Sequence, residues 1–184
     1  MRIIKIICSI VVGCLIGFEF CYYVASEFMA IYFPNQELLY YMVLLATMLF
    51  CIIIINIILL KKINKTLFYF LSITYFCLLF MVLFYRQTLD SKFILNPLTS
   101  VYELKNPEMI LQSFLNLIAF IPLGYYFKNL SNKYTFFISL IISLLIELIQ
   151  GVFKLGYFDT FDIILYMLGI QIGYYFFKKF DIFY

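Results

Sequence analysis

Three carboxylates and an amide fall within one short stretch, Glu147 to Asp162 (ELIQGVFKLGYFDTFD), where one very apolar run ends and the next begins. Glu147 and Gln150 are three residues apart, so on a helix they share a face. Asp159 and Asp162 have the same spacing. Two outlying residues complete the set: Asn116, inside an earlier apolar run, and Arg86, at the end of another. Together, Arg86, Asn116, Glu147, Gln150, Asp159 and Asp162 form the candidate binding residues. Acids and amides in this pattern suit a cationic or amine-bearing group. The chain has no His, and hence no imidazole for proton transfer or metal binding. There is no Ser–His or Cys–His pair, no phosphate-binding loop and no CxxC. Hydrolysis with these residues would need an oxygen-ligated divalent cation or a carboxylate base. No cofactor and no metal is expected.

The elements that position these residues are apolar helices. Of the 184 residues, 66% are hydrophobic and 12% charged, with a mean hydropathy of +1.04. A soluble domain does not carry so little polar surface, so the chain reads as an all-α polytopic membrane protein. The lipid bilayer is its surrounding partner, no nucleic-acid partner is expected, and the oligomeric state stays open. The five cysteines all lie in apolar runs and read as small hydrophobes.

A crossing needs about 20 apolar residues. Six runs qualify: Ile4 to Val24, Leu38 to Leu60, Thr66 to Tyr85, Pro107 to Phe127, Tyr134 to Phe153 and Thr160 to Phe177. Losing the first would leave five. Val11-Val12-Gly13-Cys14 resembles a lipoprotein cleavage box, but the apolar run continues past Cys14, so it is read as a retained span. Glu19 lies inside it. The chain divides into an N-terminal three-helix part, 1–85, and a C-terminal three-helix part, 86–184. The connection from Gln87 to Asn106 is too polar to cross and holds the apolar patch Phe93-Ile94-Leu95, so it reads as an interfacial segment. Asn106-Pro107-Glu108 is a helix start.

Nine of the thirteen basic residues fall on the side holding both termini, among them Lys61, Lys62, Lys128 and Lys178. Cytoplasmic loops are the lysine-rich ones, so both termini are placed inside and the acidic stretch outside. At 1.5 Å per residue, Glu147 lies about 9 Å below the outer end of its helix and Asn116 about 14 Å. A carboxylate at such depth costs a few kcal/mol unless paired or hydrated. The expectation is an outward-opening polar pocket, with Arg86 as the nearest counter-charge. A structural role stands beside it. Asp159-Thr160-Phe161-Asp162 also fits a helix N-cap with an acid in the first turn. Pro122 should kink the fourth span and free the carbonyl of Ile118. Gly169-x-x-x-Gly173 permits close helix packing. Gln171, between those glycines, is expected to bond a neighbouring helix.

The run Phe114-Leu115-Asn116-Leu117-Ile118-Ala119-Phe120-Ile121-Pro122-Leu123-Gly124 resembles the asparagine- and FxPxG-bearing helix of the VanZ-like family. The E-x-x-Q of that family is matched by Glu147 and Gln150, and its D-x-x-D by Asp159 and Asp162. The glycine of its last helix is matched by Gly169. The likeness covers about Arg86 to Gly173. Two positions depart from it. Gly156-Tyr157-Phe158 stand where the family has an Arg before the first Asp, and Tyr166 stands where it often has Asn. The family takes its name from a protein linked to teicoplanin resistance. The resemblance therefore implies a Gram-positive plasma membrane and a setting in the cell envelope.

Three function classes follow. The first is a non-enzymatic protein that binds or shields an envelope lipid or an amphiphilic lipoglycopeptide and affects glycopeptide susceptibility. The second is an intramembrane enzyme acting on a lipid or cell-wall intermediate, with Glu147 or Asp162 as base or metal ligand. A transporter comes third, because paired inverted halves and repeated broken helices are lacking.

Overall fold

The computed structural model describes residues 2–26, 37–60, 65–84 and 92–179. Its elements run α1 (Arg2–Phe20) with a π-helical turn (Cys21–Ala25), α2 (Glu37–Leu60), α3 (Lys65–Phe84), β1 (Phe93–Ile94), α4 (Pro97–Glu103), α5 (Pro107–Phe120), α6 (Gly124–Phe127), α7 (Asn132–Phe153), β2 (Phe158–Asp159) and α8 (Thr160–Lys179). Among the described residues, six helical segments are long and apolar enough to cross a membrane, as the sequence predicts. Their outer surfaces expose large apolar side chains such as Phe70, Phe137, Leu145 and Val152, the surface a bilayer covers. Closed backbone hydrogen bonding within each helix is what lets such segments stand in hydrocarbon.

The chain forms two compact units, dividing between residues 81 and 82. In the first, α1 packs on α2. Ser9, Gly13 and Gly17 on α1 and Cys21 in the π-helical turn recur every four residues, and all four are buried. A Cβ at Gly13 would lie 2.7 Å from the Ile52 Cα, and one at Gly17 would lie 2.6 Å from the Met48 Cα. The two backbones therefore touch, which only glycine allows. Beside this contact Ser9 Oγ donates to Asn56 Oδ1 at 3.1 Å. Glu19 is exposed.

In the second unit, α8 is the central element, packed by α5, α6 and α7. Gly169 and Gly173 on α8 meet the carbonyls of Leu117 and Ile121, and Gly124 meets the backbone of Gly173 and Tyr174. Pro122 does more than kink the fourth span. The chain leaves α5 at Phe120 and passes through short i→i−3 bonds, Leu123 N–H to Phe120 O (3.2 Å) and Gly124 N–H to Ile121 O (3.1 Å), before α6 resumes the helix. The Ile118 carbonyl, expected to be freed, accepts the Ile121 N–H at 3.1 Å. This break lets Gly124 approach α8. Phe120 stacks on Tyr166 with ring centroids 4.1 Å apart, and both are buried.

Candidate functional site

At its far end α7 stops because Lys154 takes a left-handed conformation, φ 57°, and Leu155 N–H returns to the Gln150 carbonyl at 2.9 Å. Such a reversal at the residue after a helix satisfies its last carbonyls. The chain then turns back along α7 into β2. There Phe158 and Asp159 pair in parallel with Phe93 and Ile94. Phe158 N–H donates to the Lys92 carbonyl at 2.9 Å, and the Phe93 and Phe158 rings stack. The expected interfacial segment is thereby tied to the start of α8. Its short helix α4 is capped by Asn96, which accepts from Leu98 N–H at 3.1 Å, and leaves Leu98 and Tyr102 exposed.

This turn-back delivers Asp159 to Glu147. Glu147, fully buried, accepts the Asp159 backbone N–H on Oε2 at 2.7 Å. Its Oε1 is equally buried and has no hydrogen-bond partner. The Tyr166 hydroxyl is a hydrogen-bonding neighbour of the same carboxylate, and the charges acting on it come from Asp159 and Asp162. Asp159 performs the capping role that its spacing suggests. Its Oδ1 accepts Phe161 N–H at 2.8 Å, and its Oδ2 accepts Ser100 Oγ at 2.5 Å. Thr160 Oγ1 reaches the Ile94 and Leu95 carbonyls at 3.3 and 3.2 Å. Asp162 sits in the first turn of α8, half-buried, with the Asn116 side chain of α5 as its hydrogen-bonding neighbour.

Four of the six sequence-expected residues, Asn116, Glu147, Asp159 and Asp162, thus meet where α5, α7 and α8 converge. Gln150 is half-buried and turned elsewhere: its Nε2 donates to the Leu83 carbonyl at the end of α3, at 2.9 Å. Arg86 lies outside the described residues. Sequence reasoning missed Tyr166 as a neighbour of Glu147, although it follows Asp162 by one helical turn. It also missed Ser143, one turn before Glu147 and fully buried with an unpartnered hydroxyl. Ser100 carried no sequence signal. Among the described residues, no group of three or more acids or cysteines is arranged to hold a metal ion. The arrangement is instead a set of hydrogen-bond acceptors converging at a helix start. Glu147 sits behind, and Asp162 and Asn116 reach the surface.

A family model described as VanZ/LLP1 matches residues 66–184. No curated protein and no solved structure matches the chain.

Proposed function

The chain belongs to the VanZ/LLP1 family, and from that premise we propose that this multi-pass membrane protein binds an amine-bearing group at the Glu147–Asp162 cluster. The ligand is an envelope lipid headgroup or an amphiphilic glycopeptide of the teicoplanin kind. By binding or shielding it in the outer leaflet of a Gram-positive plasma membrane, the protein changes susceptibility to such antibiotics. The observation that carries this reading is the orphaned Oε1 of Glu147, fully buried beside two further acids. A carboxylate with one oxygen left unpartnered at membrane depth is costly. An ammonium brings three donors and a compensating charge, and no acceptor to compete with those already present. Asp162 and Asn116, both half-buried, give such a group its approach. The lysine distribution supports an outward-facing site. The family name supports the envelope setting.

The test is a deletion strain complemented with the wild type or Glu147→Gln at matched membrane levels, read by teicoplanin susceptibility and by lipid analysis. The wild type restores susceptibility to its original value and Glu147→Gln leaves it at the deletion value. Full restoration by Glu147→Gln ends this reading. A lipid product that depends on Glu147 replaces it with the carboxylate-enzyme reading.

A further inference from the structure

The α7–α8 interface carries more polar groups than the cluster at its end uses. Thr135, Ser139, Ser143 and Glu147 recur every four residues on α7, and all are fully buried. Two of the hydroxyls are tied back to their own helix: Ser139 Oγ to the Phe136 carbonyl at 2.8 Å and Thr135 Oγ1 to the Ser131 carbonyl at 3.2 Å. From α8, Gln171 Nε2 donates to Ser139 Oγ at 3.2 Å. Ser143 breaks the pattern, since its buried Oγ has no partner, and neither has Glu147 Oε1 one turn further on. Positions four apart lie one above the other on a helix face. The two orphaned oxygens therefore stand on adjacent turns of the face that meets α8. At the other end of the row, the buried Tyr174 hydroxyl lies 2.6 Å from Asn132 Oδ1 and accepts from the exposed Lys178 Nζ at 2.5 Å.

Four residues of helix advance about 6 Å. Two hydrogen bonds through one bridging water span about 5.5 Å. A hydroxyl every fourth residue is thus spaced along the helix axis by about the span of one bridging water. We propose that this row is a proton-access route from the Lys178 end of α8 to the Glu147 carboxylate. Water is the mobile carrier, and Ser143 is the last hydroxyl before the acid. Each hydroxyl or water takes up one proton and releases one, so only O–H bonds form and break and the net transfer is one proton. The titratable groups facing Glu147 are Asp159, Asp162 and Tyr166, and the half-buried Asp162 is the exit to the opposite surface. The inference rests on Glu147 being the functional carboxylate and not on the identity of its ligand.

The experiment places the full chain in lipid vesicles with an entrapped pH dye and imposes a membrane potential with a potassium gradient and valinomycin. Wild-type vesicles change internal pH several-fold faster than protein-free ones. Ser143→Ala and Glu147→Gln each fall to the protein-free rate, and Ser143→Thr, which keeps a hydroxyl, retains the wild-type rate. Val152→Ala, on the lipid-facing side of α7, also conducts like the wild type. A wild-type rate equal to protein-free vesicles overturns the route. So does a folded Ser143→Ala that conducts like the wild type. Should Ser143→Ala not fold, Glu147→Gln conducting like the wild type does the same. Teicoplanin susceptibility is read separately with Glu147→Gln, so this inference and the ligand reading can fail independently.

Discussion

Helices α1 and α7 use the same packing device with different contents. Each buries a row of residues spaced by four, mostly small: Ser9, Gly13 and Gly17 on α1 with Cys21 in the turn that continues it, and Thr135, Ser139, Ser143, Glu147 and Gly151 on α7. In lipid the hydrophobic effect does not press helices together, so close approach and hydrogen bonds must hold them. The α1 row does this with backbone contact at its glycines and one neutral pair, Ser9 with Asn56; its orphaned atom is Asn56 Nδ2. The α7 row keeps one glycine, Gly151, and otherwise carries hydroxyls and one carboxylate; its orphans are Ser143 Oγ and Glu147 Oε1. An unmatched neutral donor costs about 1–3 kcal/mol, and a buried carboxylate costs more. The shared spacing is therefore a matter of assembly. The acid is the part that packing does not require, and it is where we propose that the ligand binds.

The comparison breaks first at its glycines. Gly173→Val drives a Cβ into the Ile121 carbonyl, and backbone cannot yield as a side chain can. It should cost about 3 kcal/mol or more, seen as loss of monodisperse protein after detergent extraction. Gly13→Val meets the movable Ile52 Cγ1 as well as backbone, and should cost about 2 kcal/mol, seen as a smaller loss of monodisperse protein after the same extraction. Equal losses would erase the distinction between the two contacts.

Glu147→Gln sharpens it. The amide keeps the size and one acceptor, so thermal stability in detergent should hold while binding of an amine-headgroup lipid weakens about tenfold or more, the loss of one charge-assisted hydrogen bond. Asn56→Leu, the matching change in the α1–α2 pair, should leave binding unaltered. Asp159→Ala removes the cap of α8 and the partner of Ser100, at about 1–2 kcal/mol of stability, and Asp159→Ser should recover part of it. The smallest effect is Ser9→Ala, about 0.6 kcal/mol, the usual worth of one hydrogen bond between membrane helices.

Much of the fold was legible because hydrocarbon leaves few choices. Twenty apolar residues closed by lysines are long enough to cross, and among the described residues the six runs form helices of that length within a few residues of their expected ends. Gly169 and Gly173 announced a close contact, and Gln171 a bond to a neighbouring helix, because each has one good use inside a bundle. The site was legible where helical spacing carried it: Asn116, Asp162 and Glu147 converge. It was obscure where a turn decides. Ser100 reaches Asp159 only because two residues of β1 pair with two of β2, and no periodicity encodes so short a bridge. Gln150 shares a helix face with Glu147, yet its amide serves a distant carbonyl, since one face is wide enough for two neighbours. The Gly13–Gly17 contact had the same signature as Gly169–Gly173 and could have been read from it.

Asp159 has a consequence of its own. Its backbone N–H is held by Glu147, one carboxylate oxygen caps α8 and the other holds Ser100. A guest that competes for any one of these three loosens a knot shared by the end of α7, the start of α8 and the strap from Lys92 to Ser100. Occupancy of the acid cluster should therefore be audible outside it, as a change in amide exchange along that strap.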